Sequence, residues 1–190
     1  MNIEDKKEVK DSAERHLVSR DNGVELFPEV NLDGEVIGSM TRSEAHSGTK
    51  RLHAVVHLHV FNSRGELYLQ QRPDWKDIQP GKWDTAMGGH IDYGETVGEA
   101  LAREVYEELG LKSNEYTARL VRKYVYESAV EREMVYVHTT VYDGELHPSP
   151  TETAGGRYWS REEIIEGIGK GLFTPMFEQE VMTKDKKWQL

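Results

Sequence analysis

Glu104, Glu107 and Glu108 stand at i, i+3 and i+4 in the segment from Gly89 to Leu111. On a helix, at ~100° per residue, they fall within an arc of about 100°, so their carboxylates share a face. Like charges placed together repel, and two readings account for them. One is a solvated acidic face with Arg103 pairing locally. The other is a site for a hard divalent cation, Mg²⁺ or Mn²⁺, which prefers oxygen ligands. Glu95, just ahead of the first turn, can reach the same cluster. The chain has no cysteine, which excludes thiolate nucleophiles, disulfides and cysteine-ligated zinc. Any metal is therefore held by oxygen or imidazole.

The elements that must position these carboxylates follow from periodicity. Thr96 to Leu109 reads as a helix, with Leu101, Ala102, Val105 and Leu109 in an apolar arc and Gly110 as its C-cap. Upstream, residues 51–61 alternate: Leu52, Ala54, Val56, Leu58 and Val60 on one face, His53, Val55, His57 and His59 on the other. His57 and His59 are expected to pack or face solvent. A hairpin is expected over residues 25–40 around Asn31-Leu32-Asp33-Gly34, and a further strand over 66–72. Residues 72–83 read as a long loop marked by Pro and Gly. Strands are expected at about 117–127 and 132–142. Ser160 to Glu163 forms a capping box, and Thr174-Pro175 opens a last helix. Trp159 is assigned to the core. Mixed strands and helices with hairpins give an α+β class. Residues 1–22, charge-dense and poor in apolar positions, read as an N-terminal arm, with one domain over 23–190.

Composition narrows the function classes. The 190 residues are 37% hydrophobic and 31% charged, as in a globular domain. No apolar run approaches the ~20 residues that span a bilayer, and the N-terminus lacks a signal-peptide core. The cytoplasm is the expected compartment. A net charge of −10 opposes broad contact with nucleic-acid backbone. The expected partners are a small diphosphate-containing substrate and a second copy of the chain in a homodimer.

The spacing of the acidic segment extends beyond the three glutamates. Gly89, five residues, Glu95, seven residues, Arg103-Glu104-Val105, one residue, Glu107-Glu108, one residue, Gly110-Leu111 resembles the Nudix box at every defined position. This resemblance covers about residues 25–177 and implies the Nudix fold, a mixed sheet between helices. It makes Glu104, Glu107 and Glu108 metal ligands, adds the Gly89 carbonyl and Glu95, and gives Arg103 the task of orienting the glutamates. The implied chemistry is cleavage of a diphosphate bond by water activated on Mg²⁺ or Mn²⁺, a carboxylate taking the proton. Which carboxylate is the base stays open. The segment 151–159 lacks the regular acidic positions that relatives carry, so a base is not expected from it.

Outside the box, residues 45–53, the run 67–84, Gly88-Gly89-His90 and Glu131 to Met134 are similar to the branch of isopentenyl-diphosphate isomerase. That likeness implies a second divalent-metal site at His46, His53, His90, Glu131 and Glu133, a donor set suited to Mn²⁺, Fe²⁺ or Zn²⁺. Glu131 and Glu133, at i and i+2 on a strand, face one side. The isomerases carry a cysteine where this chain has Gly88, and their box is usually degraded where this one is whole. Hydrolysis of a nucleoside diphosphate linked to another moiety, or of a related small diphosphate, is the activity implied. The alternatives are an isomerase-like protein and a diphosphate-binding module without turnover. Trp75, Lys76, Lys82 and Trp83 are available for substrate stacking and phosphate contact, or, for the tryptophans, for packing the loop on the sheet.

Overall fold

The computed structural model describes residues 23–76, 78–182, 188 and 190; the arm expected over residues 1–22 lies outside them. The strands are β1 (Leu26–Val30), β2 (Val36–Thr41), β3 (Leu52–Phe61), β4 (Leu67–Gln71), β5 (Trp83–Asp84), β6 (Met87–His90), β7 (Arg119–Glu127), β8 (Arg132–Val141) and β9 (Gly156–Trp159). The helices are α1 (Arg42–Ala45), α2 (Val97–Leu109), α3 (Arg161–Gly167) and α4 (Pro175–Val181). The expected hairpin, the strands and the three longer helices form as read. The short β5, β6, β9 and α1 carry no periodicity of their own and were not anticipated.

All strands join one mixed sheet, with β3 at its centre. β8 runs parallel to β3 along one whole edge, from Leu52 opposite Arg132 to Phe61 opposite Val141. The other edge is shared among β1 at His53, β6 over Val55–Leu58 and β4 at Val60 and Phe61, all antiparallel. The alternation of β3 then separates two faces. Leu52, Ala54, Val56, Leu58 and Val60 pack against Ala100, Leu101, Val105 and Leu109 of α2. On the opposite face lie His53, Val55, His57 and His59, with Val135 and Val137 of β8. Leu67 and Leu69 carry that face onto Trp159, Phe173, Phe177 and Val181, so α4 covers the side opposite α2. The sheet sits between helices in an α+β fold, and Trp159 is in the core as expected.

One buried charge fastens α4. Glu180 is fully buried and accepts from His57 Nδ1, His59 Nε2 and the Tyr124 hydroxyl, each at 2.7 Å. Burial opposes ionisation of this carboxyl, but the facing His57 charge and the two histidine hydrogen bonds outweigh it and hold the group well below its ordinary range. Burial likewise opposes charge on His57, and the Glu180 carboxylate carries its pKa up to about 9. Of the two expectations for His57 and His59, packing or solvent exposure, burial fits packing; their shared partner, more than a hundred residues downstream, was not foreseen.

Two expectations follow. Leu109→Ala, which empties a fully buried position on the inner face of α2, should destabilise by about 2–5 kcal/mol, whereas Tyr106→Ala on the exposed face should stay within about 0.5 kcal/mol; urea unfolding measures both. The raised His57 value contributes stability that is complete below the ordinary 6.5 and is lost as pH rises through about 9. The depressed Glu180 value contributes stability present above 4.5 and lost only in acid. Unfolding curves from pH 6 to 9.5 should therefore show an alkaline decline that Glu180→Gln abolishes while lowering stability at neutral pH by about 3–5 kcal/mol.

Candidate functional site

α2 is defined by its ends. Thr96 accepts from the Glu99 amide while Glu99 returns to the Thr96 backbone, a capping box, and Gly110 closes the helix in the left-handed region at φ 71°. With the apolar arc locked on the sheet, Glu104 is turned inward against β6. A Cβ at Gly89 would overlap the Glu104 carboxylate, so this approach requires glycine. Arg103 organises the acidic groups: Nε and Nη2 hold both oxygens of Glu95 at 2.8 Å, and Nη1 reaches Glu104 at 2.8 Å and Glu107 at 3.4 Å. Its Nη2 also donates to the His90 carbonyl at 3.0 Å. Arg103 thus joins Glu95, Glu104 and Glu107 in one network.

The three box glutamates do not meet at a point, as their helical spacing led us to expect. Glu107 is the most open, its side chain 36% exposed. Glu108 is turned inward and accepts from Gln70 of β4 at 3.2 Å. Burial, then the charges of Glu104 and Glu152, push its carboxyl well above the ordinary range. Glu104 is raised to about 7, again chiefly by burial, against the pull of Arg103. These are carboxyls that gain from a cation, since burial without one disfavours their charged form. Glu95 is engaged by Arg103 through both oxygens, so its link to Glu104 runs through the guanidinium.

The tightest gathering of donors lies elsewhere. Among the described residues, the groups of three or more candidate ligands with donor atoms within 4.8 Å of one another are His46, His53, His90 and His53, Glu131, Glu133. They are the five residues that the isomerase-like resemblance named. Register explains the meeting: His53 of β3 stands opposite Glu133 of β8, and Val55 opposite His90 of β6. α1, capped by Thr41, ends at His46. His46 Nε2 lies 3.3 Å from His90 Nε2 and 3.3 Å from Glu131, His53 Nε2 is 3.8 Å from Glu133, and His90 Nε2 is 4.0 Å from Glu133. Phe27 stacks on the His90 ring at 4.2 Å between centroids and forms one wall.

Burial lowers His53 to about 4 and takes His90 well below its ordinary value. The same burial, helped by Glu131, lifts Glu133 to about 8. Neutral imidazoles are ready ligands. His53 Nε2 and Glu133 Oε2 are buried and without a hydrogen-bond partner among the described residues. Orphaned polar atoms aimed into one cluster are costly unless something fills it. A divalent cation fits the donor set.

The two candidate centres occupy opposite faces of β6. Gly89 faces Glu104, whereas at Gly88 a Cβ would meet the His57 ring at 3.1 Å. His90, two positions on from Gly88, shares the His57 side. The bond from Arg103 to the His90 carbonyl ties one centre to the other.

The loop residues divide. Lys76 reaches Glu152 at 3.1 Å and lies 4.8 Å over the exposed Trp75 ring, and both Lys76 and Glu152 act electrostatically on Glu108. This places Trp75 and Lys76 at the box. Trp83 instead packs edge-on against Trp159 at 5.0 Å between centroids, which favours the packing role. The Lys82 carbonyl accepts from the Arg72 amide. Glu152 was missed: the segment was set aside for lacking the usual acidic positions, yet its one glutamate acts electrostatically on Glu108. Gln70, Phe27 and Glu180 were missed too. Glu180 alone left a signal, an acid inside the Phe177-Val181 apolar arc of α4. A separate cleft of ≈ 830 Å³, lined by Phe61, Tyr116, Arg119, Thr139, Val141 and Leu190, contains none of these residues.

Comparison with known proteins agrees with this architecture. Residues 50–176 match the NUDIX domain. An isopentenyl-diphosphate Δ-isomerase of Streptomyces coelicolor is 32% identical over 156 residues, covering 80% of this chain and 79% of that protein. An uncharacterized Nudix hydrolase of Nostoc sp. is 39% identical over 155 residues, covering 78% and 88%. A crystal structure of a Deinococcus radiodurans protein superposes with TM-score 0.69 at 26% identity, covering 79% of this chain and 92% of that one. The MutT protein of Methanosarcina mazei shares the fold with TM-score 0.59 at 23% identity, covering 69% and 91%. With a box complete at every position, its helix seated on β6, and a domain match over more than half its length, the chain belongs to the Nudix family.

Proposed function

We propose that this protein is a metal-dependent Nudix hydrolase that cleaves the phosphoanhydride bond of a small diphosphate, of the class in which a nucleoside diphosphate is linked to another moiety. The observation that carries this reading is the seating of α2: Glu104 lies directly over Gly89 and Glu108 is buried against Gln70. Both carboxyls are raised by burial, an arrangement that a cation stabilises. Glu104, Glu107, Glu108 and the Gly89 carbonyl would hold Mg²⁺ or Mn²⁺. When bound, such an ion neutralises diphosphate oxygens and acidifies water. Arg103 keeps Glu104 and Glu107 in place and sequesters Glu95. Glu108 and Glu152 are the carboxyls positioned to take a proton, and Lys76, beside Glu152, offers a positive group to phosphate.

His46, His53, His90, Glu131 and Glu133 would hold a second divalent ion, with Mn²⁺, Fe²⁺ and Zn²⁺ matching the mixed donors. Their gathering favours, as a second reading, an isomerase-like protein. The glycine at position 88 weighs against it, because that activity in the resembling branch relies on a cysteine side chain there.

A panel of diphosphate-containing metabolites assayed with Mg²⁺ or Mn²⁺ should reveal hydrolysis. Glu108→Gln should reduce it by about 100-fold or more; full turnover in Glu108→Gln would rule the assignment out. Elemental analysis of the purified protein tests the second centre. His53→Ala and Glu133→Gln should lose a tightly held divalent ion that Glu108→Gln retains, and equal metal content in all three would refute it.

A further inference from the structure

At the end of the sheet where β3 and β8 finish and β7 begins lies the cleft of ≈ 830 Å³. Strand register fixes what lines it. Arg119 of β7 stands opposite Thr139 of β8, and Val141, two positions further along β8, stands opposite Phe61 of β3. Paired residues, and residues two apart on a strand, project to one face of a sheet. All four side chains therefore share a face: a guanidinium and a hydroxyl in one row, an aliphatic and an aromatic group in the next, the rows roughly 7 Å apart. A shift of register between Leu120 and Arg122 bulges β7 beside these rows, and Val121 at the bulge also lines the cleft. The Thr140 hydroxyl donates to the Thr117 carbonyl at 3.0 Å, which ties the segment ahead of β7 to β8 and anchors that wall.

The charges select a ligand class. Further along β7, Arg122 donates to the Gln179 carbonyl at 3.3 Å and lies 4.2 Å over the Tyr124 ring, while Lys123 donates to the Asp33 carbonyl at 2.7 Å. The Arg119 guanidinium, by contrast, has no ion pair, hydrogen bond or ring partner among the described residues. On a chain of net charge −10, a cation without an acidic partner attracts an anion. Glu115, the one acidic side chain of the lining, accepts from the Lys112 amide at 2.6 Å and disfavours a second negative group on the ligand. Val121 and Val141 are 38% and 66% exposed, apolar surface that gains from being covered. The volume falls in the range of small-molecule sites, roughly 300–1,000 Å³.

We propose that this cleft binds a small organic monoanion with an apolar body, its carboxylate paired with Arg119 beside the Thr139 hydroxyl and its hydrocarbon part over Val141 and Phe61. No residue of the two candidate centres lines the cleft, so the proposal goes beyond the hydrolase reading and depends on no metal.

The test uses the full chain, with naphthalene-2-carboxylate as the probe and the uncharged naphthalene-2-carboxamide as its control. Calorimetric titration should show the carboxylate binding about tenfold or more tighter than the carboxamide. Amide NMR shifts should centre on Arg119, Thr139 and Val141. Arg119→Gln should abolish the preference for the carboxylate and leave the carboxamide affinity in place, whereas Val141→Ser should weaken both ligands together. Both positions are exposed, and urea unfolding should show the two variants as stable as the parent protein. The inference is overturned by an absence of saturable carboxylate binding, by equal affinities for the two ligands in the parent protein, or by a preference that survives Arg119→Gln. Shifts centred on Trp75 and Lys76 also overturn it, since they would assign the anion to the box.

Discussion

The parallel pairing of β3 with β8 is the constraint on which both candidate centres depend. Side chains alternate along a strand with period two, so a slip of one residue would exchange the faces of all ten β3 residues. Such a slip would turn His53, His57 and His59 towards the α2 core and expose Leu52, Ala54 and Val56 on the side of Glu180. Apolar burial on one face and the hydrogen bonds of His57 and His59 to Glu180 on the other both oppose that exchange. The register is thereby specified twice, by a hydrophobic term and by a polar one.

The two faces handle charge differently. Against α2, the acidic groups lie at the margin of an apolar core and are managed by Arg103, whose fork holds Glu95 bidentately and reaches Glu104 and Glu107. That geometry matches the planar guanidinium, and a lysine could not reproduce it. Across the sheet, burial is the largest influence on the titrating groups of the His/Glu cluster. The His53 and His90 imidazoles are held neutral by burial and the Glu133 carboxyl is driven up. Glu180 shows what the same environment does when partners are complete: three donors keep a fully buried carboxylate ionised. Glu180, satisfied and depressed, contrasts with Glu133, orphaned at one oxygen and raised.

Gly88 and Gly89 are adjacent, yet their missing side chains serve opposite faces. At Gly89 the absence admits the Glu104 carboxylate of the family's box; at Gly88 it admits the edge of His57. Relatives named as isomerases and relatives named as Nudix hydrolases both align over most of this chain. Fold membership leaves the chemistry to the individual sites.

The sequence by itself determined the box, the capped helix that carries it, the alternation of β3 and the mixed α+β class, because caps, turns and periodicity are local properties of the chain. The absence of cysteine fixed what the chemistry could not be. Tertiary structure alone decided that Arg103 stands between Glu95 and the box glutamates, that Glu108 turns to Gln70, and that Glu180 of α4 gathers His57, His59 and Tyr124. These contacts join residues tens of positions apart, and their geometry follows from strand register and helix docking, which are settled by the summed packing of the whole core and by no local signal. The five residues of the His/Glu centre stand between the two cases: resemblance named them, and only the pairing of β3 with β6 and β8 brought their donor atoms together.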